Sequence, residues 1–217
     1  MGMARPSAEA QRRRQILSAT CEVIAEQGFR SLRVSDVAAR IGTATGTVHY
    51  YFPTKRDLLH AAFEFNFRSS LERRRPILES DDDPLVKLRA FVDSYLPIDP
   101  VTVQAWRVWA ALWNEAIHEP DLQELNESVY GEWRAVVAGI IRDGQARGVV
   151  RGGDAVVLAN LLIGLIDGLS IQVILGSRAM NADRMRRICH HFIDEFIQQP
   201  GPESADPTGP AFAARQA

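Results

Sequence analysis

The sequence predicts an all-α protein of about nine helices, with an N-terminal helix-turn-helix head and a larger helical body. Three observations carry that expectation. Apolar residues recur at helical spacing through most of the chain, and no stretch shows the period-two alternation of a strand. Glycine or proline punctuates these runs, at Gly28, Gly42, Pro53, Pro84, Pro97, Pro100, Pro120 and Gly148. Charge is unevenly divided: residues 1–60 hold nine Lys/Arg against five Asp/Glu, so a chain of net charge −2 has a +4 end on a −6 body. A basic end on an acidic body fits a DNA-binding head on a body that does not bind DNA.

Taken in order, residues 1–9 read as a flexible arm. Arg5, Arg12, Arg13 and Arg14 lead into a first helix with Ile16, Thr20, Val23, Ile24 and Gln27 at helical spacing, closed by Gly28. Such a run is ordinarily a solvated helix face. Beside a helix-turn-helix, it is expected to contact phosphate or reach a groove. Val34, Val37, Ala38 and Ile41 give a second helix one apolar face, and Gly42 ends it because glycine takes positive φ without steric cost. Thr43 or Thr45 is expected to cap a third helix, TGTVHYYF, through its hydroxyl. Pro53 stops that helix and Thr54 caps a fourth, running from Lys55 towards Leu78. Leu58, Ala62 and Phe65 form its stripe, with Phe63 and Phe67 beside it. Helix, tight turn and short polar helix make the pattern of a DNA reader.

The body follows a break at Asp81-Asp82-Asp83-Pro84. Its first helix places Leu85, Leu88, Val92 and Tyr95 inward, and the next, from Asp99-Pro100, carries Trp106, Trp109, Trp113 and Ile117. Leu122, Leu125, Val129, Trp133, Val136 and Ile140 define a long amphipathic helix ended by Gly148. Ala155–Leu175 is apolar nearly all round, so it is expected to be covered on several sides. The last helix, Asp183–Gln198, has Met185, Ile188, Phe192 and Phe196 on one face, and residues 200–217 have the composition of a disordered tail. The expected division is a head over 10–57, a body over 58–198 and flexible termini at 1–9 and 200–217.

Several function classes fall away. Asn160, Asp167, Ser170 and Gln172 interrupt the one membrane candidate, which reads as a buried helix. Cys21 and Cys189 sit in apolar helical patterns and read as buried small hydrophobes in a reducing compartment. With no signal peptide at the start, a cytoplasmic location is expected. No metal spacing, Gly-rich phosphate loop or nucleophile elbow occurs, and His118-Glu119 lacks the second histidine of a zinc helix. These absences argue against an enzyme, a metal site and a cofactor.

The stretch GFRSLRVSDVAARIGTATGTVHYYFPTKRDLL resembles the N-terminal signature of TetR-type transcriptional regulators. It has the glycine after helix one, the Val-x-x-Val-Ala core, Gly42, Gly46-Thr47, the Tyr-Tyr-Phe triplet and Lys55. The segment WAALWNEAIHEPDL is similar to the subgroup of the choline-sensing BetI repressor. The resemblance implies a nine-helix homodimer whose body binds a small-molecule effector. One departure stands out: Thr43-Ala44-Thr45 replaces the usual small apolar residue, serine and lysine. A phosphate or base contact is lost there, so the resemblance carries over no operator sequence.

Only outward and N-terminal residues of a helix in the major groove reach base edges. Thr45, Thr47, His49 and Tyr50 are those candidates here, with Thr43 at the cap; Val48 and Phe52 point to the core. Tyr50 and Tyr51 are expected to reach phosphate through their hydroxyls. Gly46 admits close backbone approach, and Lys55 clamps a phosphate beside a helix N-terminus. Arg33 and Ser35 serve the other flank. So small a head requires a dimer reading two half-sites of double-stranded operator DNA. Leu161, Gly164, Leu165 and Gly168, with Ile188, Phe192 and Phe196, are the expected seam of a four-helix bundle between two copies.

Trp109, Trp113, Tyr130 and Trp133 read either as aromatic core or as the wall of a pocket for a flat or cationic effector. Asp167 is the only charge between Ala155 and Leu175 and needs a partner. A ligand cation and a structural arginine, Arg107 or Arg142, are the two alternatives. Glu115 is a weaker candidate because it points about 200° away from Trp113 on a 3.6-residue helix. The expected function is a dimeric repressor released from its operator by an effector, with a ligand-independent activator or architectural protein as the alternative.

Overall fold

The computed structural model describes residues 7–200; residues 1–6, with Arg5, and 201–217 lie outside the described residues, and the end of the expected flexible arm is instead ordered, Ser7 capping α1 and Ala8 and Glu9 opening it. Nine α-helices are present among the described residues: α1 (Ala8–Gln27), α2 (Val34–Arg40), α3 (Thr45–Tyr51), α4 (Lys55–Leu78), α5 (Pro84–Asp93), α6 (Pro100–Ala116), α7 (Pro120–Ala146), α8 (Ala155–Ile174) and α9 (Ala182–Phe192). A π-helical turn, Ile193–Ile197, continues α9. The described residues contain no strand, only a single β-bridge between Val150 and Gln198. The all-α expectation is correct.

Local chemistry sets most boundaries. Gly42, at φ 62°, ends α2 with the Thr43 N–H on the Ala38 carbonyl (3.0 Å) and the Gly42 N–H on the Ala39 carbonyl (3.2 Å). That double closure satisfies carbonyls that α2 would otherwise leave bare. Thr54 and Asp57 form a reciprocal capping box that starts α4, worth about 1 kcal/mol. Asp83, Asp99, Asp154 and Asn181 cap α5, α6, α8 and α9 through their side chains. The expected threonine cap on α3 is absent: Ala44 holds the N-cap position and no side chain accepts there. Neither Thr43 nor Thr45 spends its hydroxyl on the backbone cap.

In the head, α3 packs on α2, with Val48 (0% exposed) and the following Phe52 (2%) buried in the core. Burying such side chains is worth roughly 1.5–3 kcal/mol each. Arg40 grips Glu22 and Glu26 on α1, which fixes α2 beneath the reader. Helix α1 also packs against α6, so head and body share a surface.

Elsewhere the packing rotates some expected faces. On α4, Phe63 and Phe67 take the centre of the buried stripe and Phe65 is only half-buried. Gln27 is exposed and Leu17 and Cys21 complete the α1 stripe. Ile117 lies outside the core, 68% exposed. On α9 the inward line is Met185, Cys189, Ile193 and Ile197, whereas Ile188 and Phe192 are half-buried and Phe196 is exposed. The spacing of four along that line fits the final π turn, which needs more residues per turn than an α-helix. Met185 therefore does not share a face with Phe196. Helix α8 packs on α7, α9 and α6 but is not covered all round: Leu161 is 53% exposed and Leu175 77%. It is long and apolar enough by composition to cross a membrane, yet its inner face, Leu162, Ile163 and Ile166, is built into the body.

Candidate DNA-reading face and ligand chamber

Arg33, Ser35, Thr45, Gly46, His49 and Tyr50 are all exposed on the head, while Thr43, Thr47, Tyr51 and Lys55 are half-buried. Their common origin is the α2 turn, α3 and the start of α4. Tyr50 is 78% exposed and meets Tyr51 edge-on at 5.2 Å. His49 Nδ1 lies 3.3 Å from the Pro53 carbonyl, which holds the ring at the end of α3. Lys55 donates to the Arg30 carbonyl at 3.4 Å, so its ammonium is tied to the α1–α2 turn. Arg13 stacks over Phe52 at 4.5 Å, which places one member of the basic run against the reader's own core.

In the body, α5, α6, α7 and α8 enclose an aromatic chamber lined by Trp106, Trp109, Trp113, Tyr130, Trp133 and Asp167, closed by Phe91, Tyr95, Ile163 and Ile166. All five expected ligand residues meet there. The enclosed space is about 30 Å³, room for roughly one or two waters. Beyond Trp113, Tyr130 and Asp167, the same three residues face an open hollow of about 560 Å³ with Asn126, Glu127, Arg134, Gly168 and Ile171. Tyr130 donates its hydroxyl to Asp167 Oδ2 at 2.5 Å, and this bond spans the boundary between the two spaces.

Asp167 has no ion pair among the described residues. Arg107 and Arg142, the two expected structural partners, are exposed elsewhere. Burial raises its carboxyl to about 6, against the stabilising hydrogen bond from Tyr130. Tyr130 itself is pushed well above its ordinary value by burial and by the neighbouring carboxylate. Glu115 lies outside the chamber: buried at 8%, it accepts from Arg30 Nε at 3.2 Å and links α6 to the head. Arg56 and Asp121 form a second head-to-body ion pair.

Sequence periodicity gave no sign of two features. Arg74, on α4, is 2% exposed and stacks its guanidinium on Tyr95 at 3.4 Å. It hydrogen-bonds only neutral groups, Ser70 and Ser94, and burial lowers it to about 10. A cation thus backs one wall of the chamber, and Asp167 holds the opposite sign. The second feature is a set of three buried side-chain atoms without hydrogen-bond partners among the described residues: Tyr95 Oη, Trp113 Nε1 and Asn126 Oδ1. Burial raises both Cys21 and Cys189 thiols to about 12, so both stay protonated. No group of three metal-ligating side chains occurs among the described residues.

A helix-turn-helix on an all-α body that surrounds an aromatic chamber defines a DNA-binding regulator. Residues 16–62 match the family described as bacterial regulatory proteins, tetR family, and residues 84–198 match the BetI-type transcriptional repressor C-terminal domain. The chain belongs to the TetR family of transcriptional regulators, with a BetI-type C-terminal domain. It is 30% identical over 201 residues to the regulator BetI of Stenotrophomonas maltophilia, spanning 90% of this chain and 98% of that one. A solved structure from Saccharomonospora viridis, described as a transcriptional regulator in complex with choline, superposes with TM-score 0.81 at 35% identity. That match covers 88% of this chain and 99% of the other. A TetR-family regulator from Rhodococcus sp. gives TM-score 0.77 at 26% identity, over 85% and 97%.

Proposed function

We propose that the chain is a cytoplasmic homodimeric repressor, not an enzyme, released from operator DNA when a small organic cation enters the body chamber. The observation that carries this reading is Asp167: a desolvated carboxylate without a cation, walled in by Trp109, Trp113, Tyr130 and Trp133. Aromatic faces attract a cation through their quadrupole, and more strongly when water is excluded. The choline complex of the Saccharomonospora relative supports the same class of ligand.

The head of residues 10–57 reads DNA. Thr45, Thr47, His49 and Tyr50 face base edges, while Arg33, Ser35, Tyr51 and Lys55 hold phosphates. Gly46 permits the close backbone approach, and Thr43 flanks it. The body of residues 58–198 supplies the chamber and the dimer seam. Leu161, Gly164 and Gly168 are exposed on α8, and Phe192 and Phe196 stack beside them on α9 at 5.3 Å. An added Cβ at Gly164 or Gly168 meets no atom within 4 Å, so both leave room for a partner helix. Leu165 and Ile188 border the seam, half-buried.

Release follows from size. A 30 Å³ chamber accepts an ammonium compound only if its helices part. Phe67 of α4 packs edge-on to Trp109 and Trp133, and Glu115 of α6 holds Arg30. Expansion therefore moves α4 and α6 against α1, and so changes the separation of the two readers. Half-sites recur about 34–36 Å apart, and a few ångströms of splay lose the match. The test uses the purified full chain and labelled DNA from upstream of its own gene. Choline titrated into the complex is expected to release the DNA. Simultaneous binding of both without mutual weakening would refute the coupling.

A further inference from the structure

The chamber explains a cation; it leaves the wall towards the open hollow unexplained. Two groups of opposite character sit there. Trp113 Nε1 is a donor and Asn126 Oδ1 an acceptor; both are buried and neither has a partner. Both residues line the same hollow, with Tyr130 and Asp167 between it and the inner chamber. The other cage tryptophan beside Tyr95 differs: Trp106 Nε1 donates to the Tyr95 carbonyl at 2.8 Å and has nothing left to give. Buried polar groups left unpaired are expensive, so a donor and an acceptor on one wall call for a ligand group that meets both.

We infer that Trp113 and Asn126 are specificity-determining residues that read a hydroxyl carried next to the effector's ammonium group, Trp113 donating to its oxygen and Asn126 accepting its proton, and that they select against a carboxylate. In that arrangement the ligand oxygen accepts the indole N–H of Trp113, and the ligand O–H donates to Asn126 Oδ1. A hydroxyl is both donor and acceptor and so satisfies the pair. A carboxylate accepts only, and sets its oxygens against the amide oxygen of Asn126. A bare tetraalkylammonium leaves both groups unpaired. Orientation is fixed by charge. The Arg74 guanidinium behind Tyr95 repels a cation from that end, and Asp167 attracts it to the other. The ammonium is thereby held beside Asp167, and its substituent points past Trp113 into the hollow.

This inference rests on the proposed cation-binding function, and the experiment separates the two. Calorimetry on the full-length protein compares choline, tetramethylammonium and trimethylglycine, in the wild type and in Trp113→Phe and Asn126→Ala variants whose folding is verified by circular dichroism. In the wild type, choline is expected to bind about tenfold more tightly than either other compound, the loss typical of a buried group left unpaired. Trp113→Phe keeps a ring but removes the donor; it is expected to weaken choline about tenfold and tetramethylammonium less than threefold. Asn126→Ala is expected to weaken choline and narrow the gap to trimethylglycine. Equal losses for choline and tetramethylammonium in both variants overturn the hydroxyl reading alone. Failure of all three compounds to bind the wild type overturns the cation site and the inference with it.

Discussion

Helix α3 and helix α6 solve opposite problems. α3 is seven residues long, held by two buried anchors, and turns its polar and aromatic side chains outward. α6 is 17 residues long and turns three tryptophans inward against three other helices. On α3 the exposed groups are set by local backbone geometry alone. On α6 the tryptophans form a chamber only where α5, α7 and α8 close over them. The difference teaches where each half of the protein is vulnerable. On the proposed function, a change on α3 is expected to alter what is read, and a change in the chamber to alter when reading stops.

Breaking the assembly separates the halves most completely. Leu161→Glu places two carboxylates in the apolar α8 seam and is expected to give monomers at micromolar concentration. Operator affinity then falls at least a hundredfold, because paired half-site binding is lost, while ammonium binding by the monomer stays within a fewfold. Light scattering and fluorescence anisotropy measure the two. Retention of a dimer would move the seam elsewhere.

Asp167→Asn is the next largest. Choline affinity is expected to drop about 30-fold or more, since a desolvated cation loses its counter-charge, with operator binding intact. Stability is expected to move the other way. The folded carboxyl titrates near 6, above its ordinary 3.8, so its charged form is destabilising once pH rises through that interval. The variant should therefore gain about 1–2 kcal/mol in urea unfolding at pH 8 and nothing at pH 3. For the wild type the same sign makes choline affinity fall about tenfold per pH unit below 6, as protonation removes the charge.

On the reading side, Thr47→Ala or Tyr50→Ala is expected to cost about 1–3 kcal/mol on the cognate site and to change base preference. Lys55→Ala should weaken all sequences alike and reduce the salt dependence by about one unit. A selection from randomised DNA distinguishes them, and a uniform loss for all three would remove Thr47 and Tyr50 from base reading. The smallest effect falls on the link between the halves. Glu115→Gln loosens Arg30, which is 77% exposed in its side chain, so ligand and DNA affinities change little. The degree to which choline weakens DNA binding should shrink by a factor of about two to five.

What could be read from the chain reflects the range of the forces involved. Gly42, Thr54-Asp57 and the anchors Val48 and Phe52 act within a few residues, so the head was legible almost throughout. The α3 cap was not: Thr43 and Thr45 have the right chemistry, but the preceding turn put Ala44 at the capping position. The five chamber residues were also legible as a group, because aromatic residues spaced along α6 and α7 must meet something.

By itself, then, the sequence determined an all-α chain, a DNA reader, capped helices and an aromatic interior holding one carboxylate, since each depends on periodicity or short-range hydrogen bonding. Only the tertiary structure decided that Asp167 pairs with Tyr130 and not with Arg107 or Arg142, that Glu115 reaches Arg30, and that Arg74 lies uncompensated behind Tyr95. It also decided that α8 keeps one apolar face uncovered and that Trp113 and Asn126 face the same hollow. Those partners come from separate segments of the chain, and their meeting is set by how the helices pack, which no local pattern encodes.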